Sequence, residues 1–141
     1  MKNYLFVALL SLLLLGCQYP SNTIGLQIEK SKSDFSTLIG SVDALNNKYP
    51  TVLDTLKFNA TDGEITCSGS SSNGLVKGNT ASHNFPITCS DGRNGTLRLE
   101  MTLKQGQSIF LLDSTGIGVG TLSDGSKVKV LVGELNGTIG W

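Results

Sequence analysis

The sequence predicts an α+β domain: one N-terminal amphipathic helix packed on a curled antiparallel β-meander of about six to eight strands. Three observations carry that expectation. Between Phe35 and Leu45 the apolar residues recur at helical spacing. Beyond Pro50 the apolar period drops to two. Asp-Gly and Asn-Gly pairs then interrupt the alternation where hairpins would turn.

The helix is read from Phe35, Leu38, Ile39, Val42 and Leu45, with Tyr49 extending the stripe. Ser33 or Asp34 supplies its cap, and Pro50 ends it. Ser36, Thr37, Ser41, Asp43 and Lys48 form the other face, which lacks the Lys/Arg density of an interfacial helix.

Leu56, Phe58 and Ala60 then alternate up to Asp62-Gly63, and Ile65 and Cys67 alternate after it. A two-residue turn pairs Ala60 with Ile65 and Phe58 with Cys67, which puts the apolar side chains on one face. Residues 68–74 read as a Gly/Ser loop, Leu75 to Lys77 as a short strand, and 78–84 as a second loop holding His83. The strand Phe85 to Cys89 contains Pro86, so it lies at an edge or begins there. Parity favours a three- or five-residue turn next. A turn over Asp91-Gly92-Arg93 pairs Ile87 with Leu97 and Phe85 with Leu99, with Asn94 or Gly95 left-handed. Thr96 to Lys104 alternates as a half-buried strand, with Arg98 and Glu100 on its wet face. Ile109 to Leu112 suits a central strand. Ile117, Val119 and Thr121 pair with Val132, Val130 and Val128 through Asp124-Gly125, and Asn136-Gly137 offers a last turn before Ile139 and Trp141.

The start of the chain has another character. Leu5 to Leu15 is apolar except for Ser11, too short to span a bilayer, and ends in Leu14-Leu15-Gly16-Cys17. This resembles the lipobox of bacterial lipoproteins. The resemblance implies removal of residues 1–16, acylation of Cys17, a lipidated tether over 17–25 and a single domain over 26–141. Two or more acyl chains hold a protein stably at a membrane. Gln18, rather than Asp, follows the cysteine, and the family's sorting rule then implies the outer membrane, facing the periplasm or the exterior.

Removal of residues 1–16 leaves 125 of the 141 residues, enough for one core. Ten basic side chains then face eleven acidic ones, without the basic stripe that nucleic acid requires. Cys67 and Cys89 remain as an even pair in an exported chain, so a disulfide is expected. Its loop is worth about 3 kcal/mol in the chain-entropy picture.

No motif names a reaction. Gly116-Ile117-Gly118-Val119-Gly120 is glycine-rich, but a strand follows it where a phosphate loop needs a helix N-terminus. Asp62, Asp91 and Asp124 each precede a glycine and suit turns better than calcium. Neither a catalytic group, a metal site nor a cofactor is expected. The leading expectation is a non-catalytic binding module whose partner is an envelope protein or the cell wall. The loops 68–74 and 78–84, with His83, Arg98 and Glu100, form the contact surface in that reading. The rival is a small envelope hydrolase built on His83.

Overall fold

The computed structural model describes residues 21–133, apart from 32, 47, 73, 103–109, 112 and 113. The signal segment, Cys17, the run at Ile109 to Leu112 except for Phe110 and Leu111, and the Asn136-Gly137 turn with Trp141 lie outside the described residues.

The expected helix is absent: among the described residues the fold is all β. The strands are β1 (Ser21–Ser31), β2 (Asp34–Ala44), β3 (Leu56–Thr61), β4 (Thr66–Ser70), β5 (Leu75–Lys77), β6 (Thr80–Cys89), β7 (Asn94–Thr102), β8 (Thr115–Leu122) and β9 (Lys127–Val132). All pair antiparallel in the order β4-β3-β2-β1-β9-β8-β7-β6-β5, and β4 also pairs β6. That second pairing closes eight strands into a barrel and leaves β5 as a flap on β6.

The helical stripe fails because Leu38 and Val42 fit both periods. In β2 the inward residues are Ser36, Leu38, Gly40, Val42 and Ala44, while Phe35 and Ile39 stay exposed. Gly40, Ser36 and Ser41 are weak helix formers, and Thr37, Ile39 and Val42 are β-branched. What settles the strand is its partner. Ile24, Leu26 and Ile28 alternate inward along β1, which pairs β2 over ten positions. Ser21 to Gly25, assigned to the tether from sequence, are thus the first residues of β1.

One register line runs through Ala81, Met101, Gly116, Val132, Ile24, Gly40, Ala60 and Cys67 before reaching Cys89. It re-enters β6 eight residues beyond its start, from 81 to 89. A barrel of eight strands with this stagger has an interior that side chains fill. Phe58 and Phe85 meet there edge to face at 5.5 Å, within one continuous apolar cluster. The outer wall carries Lys57, Asn59, Asn84, Arg98, Glu100 and Lys127, all exposed. Four of the nine strands reach the 9–11 residues of a transmembrane strand. It is this polar exterior, not strand length, that distinguishes the barrel from one facing lipid.

The tight turns lie at one end and depart from the expected registers. The β3–β4 connection is four residues long, so Ala60 meets Cys67 rather than Ile65. The shift is even, and the inward faces survive. Between β6 and β7 the chain turns over Ser90–Arg93 with Gly92 left-handed at φ 90°, and Phe85 pairs Leu97 instead of Leu99. Neither Asn94 nor Gly95 takes the left-handed role. Between β8 and β9, Leu122 bonds Ser126 across a three-residue turn with Gly125 left-handed, and the slip is odd. Gly116 and Gly118 therefore face inward, while Ile117 and Val119 turn outward with 61% of their surface exposed. The pairing of Ile117 with Val132 is replaced by Gly116 with Val132.

Asp62, Asp91 and Asp124 are turn residues, as expected. Each accepts from the backbone N–H two residues on. Those bonds help hold the carboxyls below their ordinary range. The largest cause is the Ile65 N–H for Asp62, the Arg93 side chain for Asp91 and Ser126 for Asp124. Arg93 clamps two of these turns together, 2.8 Å from Asp91 and 3.4 Å from Asp124. With folded values depressed, their stabilisation is present above the unfolded carboxylate range and lost as pH falls through the folded one. Solvent exposure keeps that contribution small.

The opposite end carries the long connections. Thr51 bridges Phe110, the Leu111 N–H bonds the Pro50 carbonyl, and Asn22 Nδ2 donates to the carbonyls of Leu111 and Ser114. Val52 and Leu111 are buried there and cap the interior.

The closing seam is the shortest ladder of the circuit. β4 and β6 share three residue pairs, whereas the other seven ladders have five to ten. Cys67 and Cys89 face each other in that seam and are joined by a disulfide, Cα to Cα 4.0 Å. Pro86 lies just past it, where neither β4 nor β5 pairs the free side of β6. The edge that a proline requires is thus local, inside an otherwise paired strand.

Candidate binding surface

The three residues singled out for binding do not form one site. His83 belongs to β6, not to a loop, and alternates inward with Ala81, Phe85 and Ile87. Arg98 and Glu100 point outward from β7 on the other side of the wall. The sequence concealed this because the polar run Thr80 to Asn84 looks like a loop. Its parity with Phe85 and Ile87 was the available signal.

His83 is 1% exposed and acts as a tie. Nε2 reaches the Val52 carbonyl, which can only accept, so this nitrogen donates. Nδ1 lies 3.1 Å from Ser71 Oγ, whose hydroxyl can donate to it, and 3.3 Å from the Ser72 carbonyl. Ser71 is bonded to Leu56 in both directions, its Oγ accepting from the Leu56 N–H and its own N–H reaching the Leu56 carbonyl. A Cβ on Gly74 would sit 2.6 Å from Nε2, so a glycine is needed where the backbone at 74 passes the ring. Ser71 is buried, and residues 68–70 and 80–84 are strand, so the two expected contact loops are largely strand among the described residues.

A serine beside a histidine invites comparison with a nucleophile and its base. Here Nδ1 meets the hydroxyl, Nε2 is occupied by a backbone carbonyl, and both residues are buried. No carboxylate is hydrogen-bonded to the ring among the described residues. The arrangement ties together the backbone at Val52, Leu56 and Ser71. Replacing His83 by alanine removes that tie and opens a void. Urea unfolding is expected to show a loss of about 2–4 kcal/mol.

The outer wall of β7, β8 and β9 has a different character. Arg98 and Glu100 form an exposed ion pair at 3.3 Å. In register with Arg98 lie Asn84, Val119 and Lys129; in register with Glu100 lie Ser82, Ile117 and Leu131. A groove of about 430 Å³ runs between Arg98, Thr96 and Asn84 on one side and Lys127 and Lys129 on the other, across Val119 and Thr121. A second, of about 470 Å³, adjoins it at Arg98 and Val119 and reaches Glu100 and Ile117. Exposed aliphatic side chains thus sit among cationic and hydroxyl groups. Sequence reading missed Ile117 and Val119 because it paired them with Val132 and Val130, which face inward.

The glycine run of β8 forms no phosphate cradle. A Cβ on Gly118 would come within 2.8 Å of the Arg98 carbonyl and 3.3 Å of Val130, so these glycines make room inside the barrel. The described residues contain no cluster of His, Cys, Asp or Glu able to hold a metal. Comparison with protein-family models, with curated proteins and with solved structures gives no match.

Proposed function

We propose that the chain is a non-catalytic binding module of the bacterial envelope, anchored through acyl chains on Cys17 and engaging a partner protein with the outer wall around Arg98 and Glu100. The observation that carries the reading is the exposure of Ile117 and Val119 beside that ion pair. Exposed aliphatic groups ringed by charge suit a protein contact, in which arginine and buried apolar anchors dominate. The filled interior favours an outside surface over an enclosed ligand. The engagement of both His83 nitrogens weighs against the hydrolase alternative. Gln18 after Cys17 favours the outer membrane as the site of anchoring.

The test is capture of partners by crosslinking the mature, acylated protein in its own envelope. The wild type and a Lys57→Glu control on the far wall are expected to recover the same partner. Val119→Asp and Arg98→Glu are expected to lose it while remaining folded. Equal recovery by all four proteins would refute the surface, and hydrolytic turnover abolished by His83→Ala would refute the non-catalytic reading.

A further inference from the structure

The exposed apolar side chains are not spread evenly over the barrel. Of the nine large hydrophobic residues that stand exposed among the described residues, five are Leu45, Tyr49, Leu75, Val76 and Phe110. All five belong to the end with the long connections. Leu45 follows directly on β2, Phe110 is one half of the Thr51–Phe110 bridge with Tyr49 two residues before Thr51, and Leu75 and Val76 lie on the β5 flap. Leu75 is 74% exposed, the most open of the set.

β1 begins at the same end. Ser21 pairs with Asp43, next to Ala44 and Leu45. Only residues 18–20 separate it from Cys17. Four extended residue steps reach about 14 Å at most. An acylated Cys17 therefore holds this end, and not the tight-turn end, close to the bilayer.

Charge is distributed in the same sense. The tight-turn end carries Asp34, Asp62, Glu64, Asp91 and Asp124 against Lys30, Arg93 and Lys127, whereas Lys48 and Lys77 stand exposed at the long-loop end. The Lys48 ammonium lies 5.6 Å from the Tyr49 ring centre, an aromatic and a cation side by side as at membrane interfaces. Asp43 and Asp54 also belong to this end but are half-buried, and Asp54 accepts from the Thr51 N–H.

We infer that the long-loop end of the barrel rests on the lipid bilayer, with Leu45, Tyr49, Leu75, Val76 and Phe110 at headgroup depth. The inference rests on the acylated-Cys17 reading given above. It gives the barrel an orientation as well as an anchor: the acidic turns point away from the membrane, and the Arg98 wall stands roughly upright beside it. Five side chains of this kind add to the acyl anchor and restrict tumbling on the tether.

The experiment uses the acylated full chain in vesicles of phosphatidylethanolamine and phosphatidylglycerol that contain a headgroup-spin-labelled lipid. Methyl NMR signals are followed. Those of Leu45, Leu75 and Val76 are expected to broaden strongly, while those of Ile117 and Val119 on the wall, equally exposed, are expected to be nearly unaffected. A Tyr49→Ser, Leu75→Ser, Val76→Ser variant should remain on the vesicles yet lose the contrast between the two sets. Uniform broadening, or broadening centred on the wall, would overturn the orientation while leaving the anchor intact. Shielding of the loop-end methyls without vesicles would also overturn it, by showing residues 134–141 or a second copy covering the patch. Failure of the chain to carry acyl groups at all would instead refute the anchor, and the two failures are read separately.

Discussion

Gly40→Ala is expected to prevent folding. The Cβ it introduces would land on the Asn59 carbonyl oxygen of the adjacent strand and crowd the Ala60 Cα, both backbone atoms that no rotamer change can move. Gly40 pairs with Ala60 and with Ile24 in the register line that circles the barrel, so the strand separation it forces propagates to both neighbours. Ordinary overpacking costs about 1–3 kcal/mol where side chains can yield. Here a ladder must part, and the loss is expected to approach the whole stability of a domain of this size, about 5–15 kcal/mol. Gly63→Ala is the contrast. It has nothing within 4 Å of its added carbon but sits at φ 94°, so only a local strain of about 1–2 kcal/mol is expected. Circular dichroism and amide NMR of the two variants check the pair: Gly40→Ala without native signals, Gly63→Ala native but weakened.

Removing the disulfide should have the next largest effect. A Cys67→Ala, Cys89→Ala variant frees a link spanning 22 residues, worth about 3 kcal/mol in the chain-entropy picture. For a domain of this size that corresponds to a fall in Tm of about 10–20 °C. The location adds a local expectation. Since β4 and β6 share only three pairs, opening should begin there once the link is gone. Hydrogen exchange is expected to lose protection first at residues 67–69 and 87–89, while the ten-pair β1–β2 ladder persists. Simultaneous loss at both ladders would mean that the barrel has no weak seam.

The sequence revealed the turns better than it revealed the first strands. Asp62, Asp91 and Asp124 announced their turns because an aspartate before a glycine satisfies local backbone groups whatever the rest of the fold does. The cysteine pair followed from chemistry, and its place from closure. Registers were less legible, since turn length is decided by the bonds made within the turn. An error of two residues at Ser90–Arg93 kept the faces; an error of one at Ser123–Gly125 moved Ile117 and Val119 from core to surface. That single slip also hid most of the candidate surface.

The false helix has a different origin. Leu38 and Val42 satisfy both periodicities, and only the partner strand decides between them. Ile24, Leu26 and Ile28 alternate clearly, but a reading that took residues 17–25 for a tether left β1 without its first half. His83 was misplaced because polar neighbours outweighed parity; its burial depends on Val52 and Ser71, which are remote in sequence. In each case the missing information was a non-local contact.

The proposed partner wall and bilayer-facing end both rest on the reading of Cys17 as an acylated anchor. The most direct measurement is the intact mass of the protein extracted from its own envelope. The expected product begins at Cys17, carries the diacylglycerol and amide-linked acyl masses on that residue, and has Cys67 and Cys89 oxidised. A chain that retains residues 1–16, or one cleaved elsewhere and bearing no lipid, would contradict the account.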